Sequence, residues 1–246
     1  MFFNVIILLF FSFLYSYPSF SELGNISIES FTKSKKILNK IHSENPITIY
    51  CQCKYIDKKP DWDSCGFKPK KDKKRASRIE WEHILPASHF GVNFDTWSKG
   101  HPKCINKEGK AYKGRKCTEK IYNKYRKMQA DMYNLQPSIG EVNGLRNNYQ
   151  IALINGEKRE FGKCDIEIFN KQVEPTESIR GDIARTYMYM ELNYPKYIKF
   201  NDNIKKMIID WDNNDPVDSW ECLRAKKIKI NQGNSNQILE EKCKNF

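Results

Sequence analysis

Residues 78–87 read Arg-Ile-Glu-Trp-Glu-His-Ile-Leu-Pro-Ala. Apolar Ile79 and Trp81 alternate with Glu80 and Glu82, the period-of-two pattern of a strand with one apolar face and one acidic face. The strand is predicted over residues 78–83 and must stop before Pro86, which has no N–H to give to a ladder. Glu82 and His83 are neighbours, and neighbouring strand residues point to opposite faces. They can share a site only where the strand ends or bends, and Pro86 supplies that break. Glu82 and His83 are therefore a candidate site pair. Taken alone, a Glu-His pair also describes a surface histidine next to an acid, and the zinc-protease pattern HExxH is absent.

Outward from this strand, the spacing of Phe31, Ile37, Leu38 and Ile41 predicts a helix over Phe31–Ile41. A short strand is expected over 47–55, loop over 57–78 and 91–116, and a helix over 119–132. Downstream, 149–154 and 164–169 read as strands, and 179–192, 204–211 and 219–230 as helices. No repeat, linker or low-complexity tract marks a boundary, so the expectation is one α+β domain, mixed and helix-rich, over 21–246.

The 246 residues carry 42 Lys+Arg against 30 Asp+Glu, a net charge of +12. That balance points the surface toward a polyanion. A mean hydropathy of −0.72 excludes a multi-span membrane protein. The one long apolar run, FFNVIILLFFSFLYSY from Phe2, is read as part of a signal peptide over residues 1–20. It has no Lys or Arg before the apolar run and no A-x-A cleavage site, so an uncleaved anchor is the competing reading.

Eight cysteines, at 51, 53, 65, 104, 117, 164, 222 and 243, fit a disulfide framework in an oxidising compartment, the periplasm or outside the cell. Zinc ribbons need paired CxxC knuckles, and the only close pair here is Cys51-Gln52-Cys53. Sequence permits on the order of a hundred pairings, a local Cys104–Cys117 bridge among them.

Histidine is scarce. His42, in a lysine-rich helix, and His101, in a Gly-His-Pro turn, read as surface residues, and His89 as packing or surface. A second informative stretch, residues 131–149, is dense in amides: Asn134, Asn143, Asn147 and Asn148. Asn143-Gly144 is by itself a turn signal, and Arg115, between Gly114 and Lys116, could be one more solvated charge. Trp81, Trp97 and Trp211 read as core rather than as base-stacking platforms.

The stretches EWEHILPASHFG, GHPKC, KGRKC, YRKMQADMYNLQPSIGEVNG, GDIARTYMYM and PVDSWEC strongly resemble the bacterial endonuclease I family, from about residue 50 to Cys243. The family consists of exported, largely non-specific nucleases with a ββα-metal (His-Me finger) active site. The resemblance implies that His83 is the general base, Glu82 and Asn143 are the protein ligands of one Mg²⁺, and Arg115 holds phosphate. Asn134 is the alternative to Asn143. Mn²⁺ or Ca²⁺ could substitute for Mg²⁺, and no organic cofactor is expected.

Each role makes chemical sense. A neutral imidazole can take a proton from water, a carboxylate and an amide oxygen are hard ligands suited to Mg²⁺, and a guanidinium grips phosphate with two parallel bonds. The implied activity is hydrolysis of double-stranded DNA, extending to single-stranded DNA and RNA, to 5′-phosphate ends by a monomer, with no membrane contact beyond the export signal. Lysines and arginines in 68–75, 99–124 and 224–229 would follow the phosphates in a salt-sensitive, sequence-independent way. Two rivals remain: a non-catalytic basic secreted protein, for which His83→Ala would change nothing, and a zinc hydrolase of small phosphoesters.

Overall fold

The computed structural model describes residues 24–156 and 158–246. The expected signal peptide over 1–20 lies outside them. In chain order the elements are α1 (Phe31–Ile41), β1 (Tyr55–Ile56), β2 (Lys59–Pro60), α2 (Lys73–Ala76), β3 (Ile79–His83), α3 (Ala87–Gly91), α4 (Asp95–Ser98), α5 (Arg115–Ile121), α6 (Asn123–Gln129), β4 (Leu135–Ile139), α7 (Gly140–Arg146), β5 (Gln150–Ile151), β6 (Ile166–Phe169), β7 (Gln172–Pro175), α8 (Arg180–Asn193), α9 (Asp202–Asn214), α10 (Ser219–Gln232) and α11 (Gln237–Lys242). The sheets are small: β1 pairs with β2, β3 with β4, and β7 lies between β5 and β6. The expected mixed, helix-rich α+β architecture holds, and among the described residues no helix is long and apolar enough to cross a membrane.

α1 begins where Ser30 accepts the Lys33 N–H at 3.2 Å, a side-chain cap of the kind serine favours. Its inner face, Ser34, Leu38 and Ile41, is buried. α8 lies almost wholly in the core, with Ile183, Ala184, Tyr187, Tyr189 and Met190 at 1% exposure or less. It packs against α9, whose Ile208 and Trp211 are its buried contacts.

The element that organises the site is the antiparallel pair of β3 and β4, which runs from Ile79↔Ile139 to His83↔Leu135. α7 follows β4 without a loop. Two strands and a helix, joined through a long excursion over residues 84–134, thus bring the two informative sequence stretches side by side.

Several local expectations are corrected. Residues 47–55 turn rather than extend: Thr48 donates its backbone N–H to the Cys53 carbonyl at 2.9 Å and accepts the Cys53 N–H on its hydroxyl at 3.0 Å, with Gln52 in the left-handed region. That reversal lets two cysteines one residue apart reach different partners, Cys51 to Cys164 and Cys53 to Cys65. The helix expected over 119–132 is two helices, α5 and α6, broken at Tyr122, whose φ of −106° and ψ of 112° are extended. The loop 91–116 contains α4. β7 and α11 were not anticipated. Cys104–Cys117 and Cys222–Cys243 complete four disulfides, so every cysteine is bonded.

His42 is not at the surface. It is 1% exposed, edge-on to Trp81 and Trp220 at 5.2 and 5.3 Å, and its Nε2 accepts from Arg224 Nε at 3.1 Å. Arg224 is itself buried, donating to the carbonyls of Met132 and Leu135, so it cannot belong to a phosphate-tracking surface.

Candidate active site

An open cleft of about 520 Å³ lies at the C-terminal end of β3. Glu82, His83, Arg115 and Asn143, the four residues singled out in the sequence, all line it. Three separate elements deliver them: β3 carries Glu82 and His83, the first residue of α5 is Arg115, and Asn143 sits in the middle of α7.

His83 is 8% exposed, and its Nε2 lies 2.8 Å from the backbone carbonyl of Gln129. A carbonyl only accepts, so Nε2 carries the proton and Nδ1 is left with a free lone pair. Phe31 packs against the ring with centroids 4.9 Å apart. Burial and the nearby Arg115 guanidinium pull the imidazole down to about 3, so it is neutral at any ordinary pH.

Glu82 is 3% exposed, and two groups hold its Oε1: Arg146 NH1 at 3.1 Å and the Tyr50 hydroxyl at 3.2 Å. Burial pushes the carboxyl up to about 7, against the pull of Arg146 and Tyr50. Arg146 is 1% exposed and donates as well to the carbonyls of His83 at 3.3 Å and Ile84 at 2.6 Å, where β3 ends. One buried guanidinium therefore ties the acid to the strand terminus beside it.

Asn143 donates its Nδ2 to Glu80 Oε2 at 3.0 Å. Glu80 in turn receives Arg75 (3.0 and 2.7 Å) and Arg78 (3.0 and 2.7 Å). A carboxylate accepts only, so this contact decides which end of the Asn143 amide is which. Of these two side chains, the oxygens left without a hydrogen bond among the described residues are Glu82 Oε2 and Asn143 Oδ1, two hard oxygens from different elements, a pair that suits a divalent cation keeping most of its waters. Among the described residues no group of three or more His, Cys, Asp and Glu side chains could hold a metal ion.

Arg115 donates from Nε and NH2 to Gln129 Oε1 at 3.3 and 3.2 Å, and its guanidinium lies over Phe31 at 5.8 Å. Gln129 thus contacts two of the candidate side chains, His83 through its backbone and Arg115 through its side chain.

Asn134, the alternative amide, is not in the cleft. It is fully buried and bonded at both ends to Leu85, Oδ1 accepting the N–H at 2.7 Å and Nδ2 donating to the carbonyl at 2.9 Å. His89 donates to the Asn148 carbonyl at 2.9 Å. Trp211 is core as expected, but Trp81 and Trp97 are half-buried and line the cleft. Sequence reasoning passed over Glu80, Gln129, Arg146 and Phe31. Of these only Glu80 had a visible signal, its place on the same strand face as Glu82.

The family model for Endonuclease I matches residues 13–243. An extracellular deoxyribonuclease of Aeromonas hydrophila is 38% identical over 224 residues, covering 88% of this chain and 90% of its own. Endonuclease-1 of Buchnera aphidicola subsp. Acyrthosiphon pisum is 41% identical over 223 residues (88% and 83%). A periplasmic deoxyribonuclease of Aeromonas hydrophila is 38% identical over 222 residues, 87% of each chain. With nearly the whole chain matched, and His83, Glu82, Asn143 and Arg115 gathered in one cleft, the protein belongs to the endonuclease I family.

Proposed function

We propose that the protein is an exported endonuclease that hydrolyses phosphodiester bonds of DNA, and of RNA, with little base preference, leaving 5′-phosphate ends and acting as a monomer. The observation that carries the reading is the cleft itself: a neutral histidine with a free Nδ1, a hard-oxygen pair and an arginine fork converge on one open space. Relatives named as deoxyribonucleases support DNA as substrate, and their names, extracellular and periplasmic, together with four disulfides, support export through the apolar segment at residues 1–20.

His83 acts as general base. Donation of Nε2–H to Gln129 holds the ring so that Nδ1 accepts a proton from a water placed in line with the scissile phosphorus. In the free protein the imidazole has little proton affinity, but the phosphodiester brings negative charge beside it and offsets the effect of Arg115. Arg115, aligned by Gln129, grips phosphate oxygens and stabilises the charge that builds on them. Glu82 Oε2 and Asn143 Oδ1 would hold Mg²⁺, with Mn²⁺ or Ca²⁺ as substitutes. When bound, the ion supplies Lewis-acid stabilisation of the pentacoordinate phosphorus and of the departing 3′ oxygen. Arg146 and Tyr50 keep Glu82 in place, and Glu80 turns the Asn143 amide so that its oxygen is the free end.

The test is degradation of supercoiled plasmid by the oxidised protein with Mg²⁺, run beside His83→Ala. Loss of plasmid with wild type only is the expected result. Intact plasmid in both, from folded and disulfide-bonded protein, would instead support a basic binding protein.

A further inference from the structure

α1 has three faces. Ser34, Leu38 and Ile41 are buried. Phe31 reaches the catalytic cleft, where it packs on His83 and lies under Arg115, and Lys35 Nζ sits 4.6 Å above the same ring. Lys33, Lys36 and Lys40, at spacings of three and four, share the remaining face and are exposed. With Ile37, Lys227 and Asn231 they line a second open groove of about 440 Å³ between α1 and α10. α1 carries no acidic residue. Among the described residues Lys33, Lys36 and Lys40 make no ion pair, and the one acid in the groove, Glu44, is held by Lys227 at 2.7 Å.

The basic stretch on α10 differs. Lys229 is paired with Glu240 at 2.6 Å, Lys226 donates to the Phe246 carbonyl at 2.8 Å, and Lys227 is paired with Glu44. Those charges are already satisfied within the protein.

We infer that the Lys33, Lys36 and Lys40 face of α1 is a phosphate-binding track, a DNA contact separate from the catalytic cleft, which carries the backbone of a duplex whose scissile bond lies beyond Phe31. This rests on the nuclease reading of the cleft. From Phe31 to Lys40 the helix rises about 13.5 Å, which spans roughly four phosphates at 3.4 Å of axis per strand. Ammonium groups with such a spacing, in no ion pair among the described residues, suit a polyphosphate and give no base preference. A substrate too short to reach past Phe31 would not feel the track.

The experiment compares Lys33→Gln/Lys36→Gln/Lys40→Gln with an equally discharged control, Lys226→Gln/Lys229→Gln/Lys244→Gln, in the full oxidised chain. Binding of a fluorescein-labelled 30-base-pair duplex is read by anisotropy in EDTA, across a salt series. Plasmid cleavage and hydrolysis of bis(p-nitrophenyl) phosphate are measured with Mg²⁺. The α1 variant is expected to bind the duplex at least 10-fold more weakly, with the slope of log K against log salt reduced by about 2–3. Its turnover of the small diester should be unchanged, and the control should match wild type in all assays. Equal losses in both triple variants, or an unaltered salt slope in the α1 variant, would overturn the track. The EDTA binding result does not depend on catalysis, so inactivity of wild type on plasmid would sink the nuclease reading and still leave the track tested.

Discussion

Glu80 accepts the amide of Asn143 at 3.0 Å across 63 residues of sequence, one of the ties between β3 and α7 at the candidate metal site. Burial raises its pKa, but the hydrogen bonds and charges of Arg75 and Arg78 more than offset this and keep it ionised. Glu80→Gln keeps the shape and removes the charge that gathers two arginines and fixes the Asn143 amide. Outer partners of metal ligands typically change metal affinity 10–100-fold. The Mg²⁺ concentration for half-maximal cleavage is expected to rise about 10-fold in this range, with the duplex affinity in EDTA unchanged. An unaltered Mg²⁺ requirement would show that Asn143 does not depend on Glu80.

Gln129→Leu separates catalysis from stability. The side chain is 1% exposed, and among the described residues its Nε2 has no hydrogen-bond partner, so the fold gains little from the amide. Leucine of similar volume should leave the thermal midpoint nearly unchanged. Arg115 would lose its only acceptor on that residue, and kcat/KM on plasmid should fall roughly 10-fold, about 1.4 kcal/mol. The backbone bond to His83 survives the substitution, so the pH profile should keep its shape. A fall in stability as large as the fall in activity would contradict this.

The amide-rich stretch shows where sequence was legible and where it was not. α1 and β3 could be read because apolar spacing decides them: the helix Phe31–Ile41 is as expected and β3 starts one residue later than expected, while α8, buried almost all round, is shifted by one residue at each end. Asn143-Gly144 reads as a turn and instead lies inside α7. The glycine is there because a Cβ would come within 2.1 Å of Arg75 NH1, a guanidinium clamped on Glu80, and such close approach is invisible until the fold is known. His42 was misread for a similar reason. Lysines around it in α1 suggested solvent, but Trp81, Trp220 and Arg224 arrive from distant sequence to enclose it. The candidate site residues were visible through chemistry and resemblance; their supports, Gln129 and Arg146, were not, because a buried glutamine or arginine has no local pattern.

Cys104–Cys117 fastens α5, whose first residue is Arg115. Its loop of 13 residues restrains the unfolded chain by roughly 3 kcal/mol, and Cys51–Cys164, with 113 residues, by about 5 kcal/mol on the chain-entropy estimate. Four such bridges are comparable with the whole 5–15 kcal/mol or so of a typical domain. Full reduction with dithiothreitol is expected to unfold the protein and abolish plasmid cleavage. Cys104→Ser/Cys117→Ser should keep the fold with a lower thermal midpoint and lose activity through Arg115. Full activity of the reduced protein, measured directly, would refute the argument.

His42 should make stability depend on pH in a particular direction. Burial, and then the charge of Arg224, lowers its pKa well below the ordinary value of 6.5, so the folded protein keeps it neutral. Below pH 6.5 the unfolded chain takes up a proton that the folded one refuses. Stability is therefore complete above about pH 6.5 and falls as pH drops through it, continuing toward the folded pKa. His83 and His89, both lowered chiefly by burial, act in the same sense, while raised carboxyls such as Asp131 act in the opposite one. A difference between two proteins isolates His42. Its Nε2 is an acceptor for Arg224, a role the carbonyl of glutamine can take over. His42→Gln will cost packing between Trp81 and Trp220 at every pH, but it removes the titration. Urea unfolding of wild type and variant from pH 7.5 to 5.5 should show the gap narrowing by about 1.4 kcal/mol as the medium becomes acidic. Parallel curves over that interval would mean that His42 takes its proton in the folded state, and that its enclosure opens at little cost.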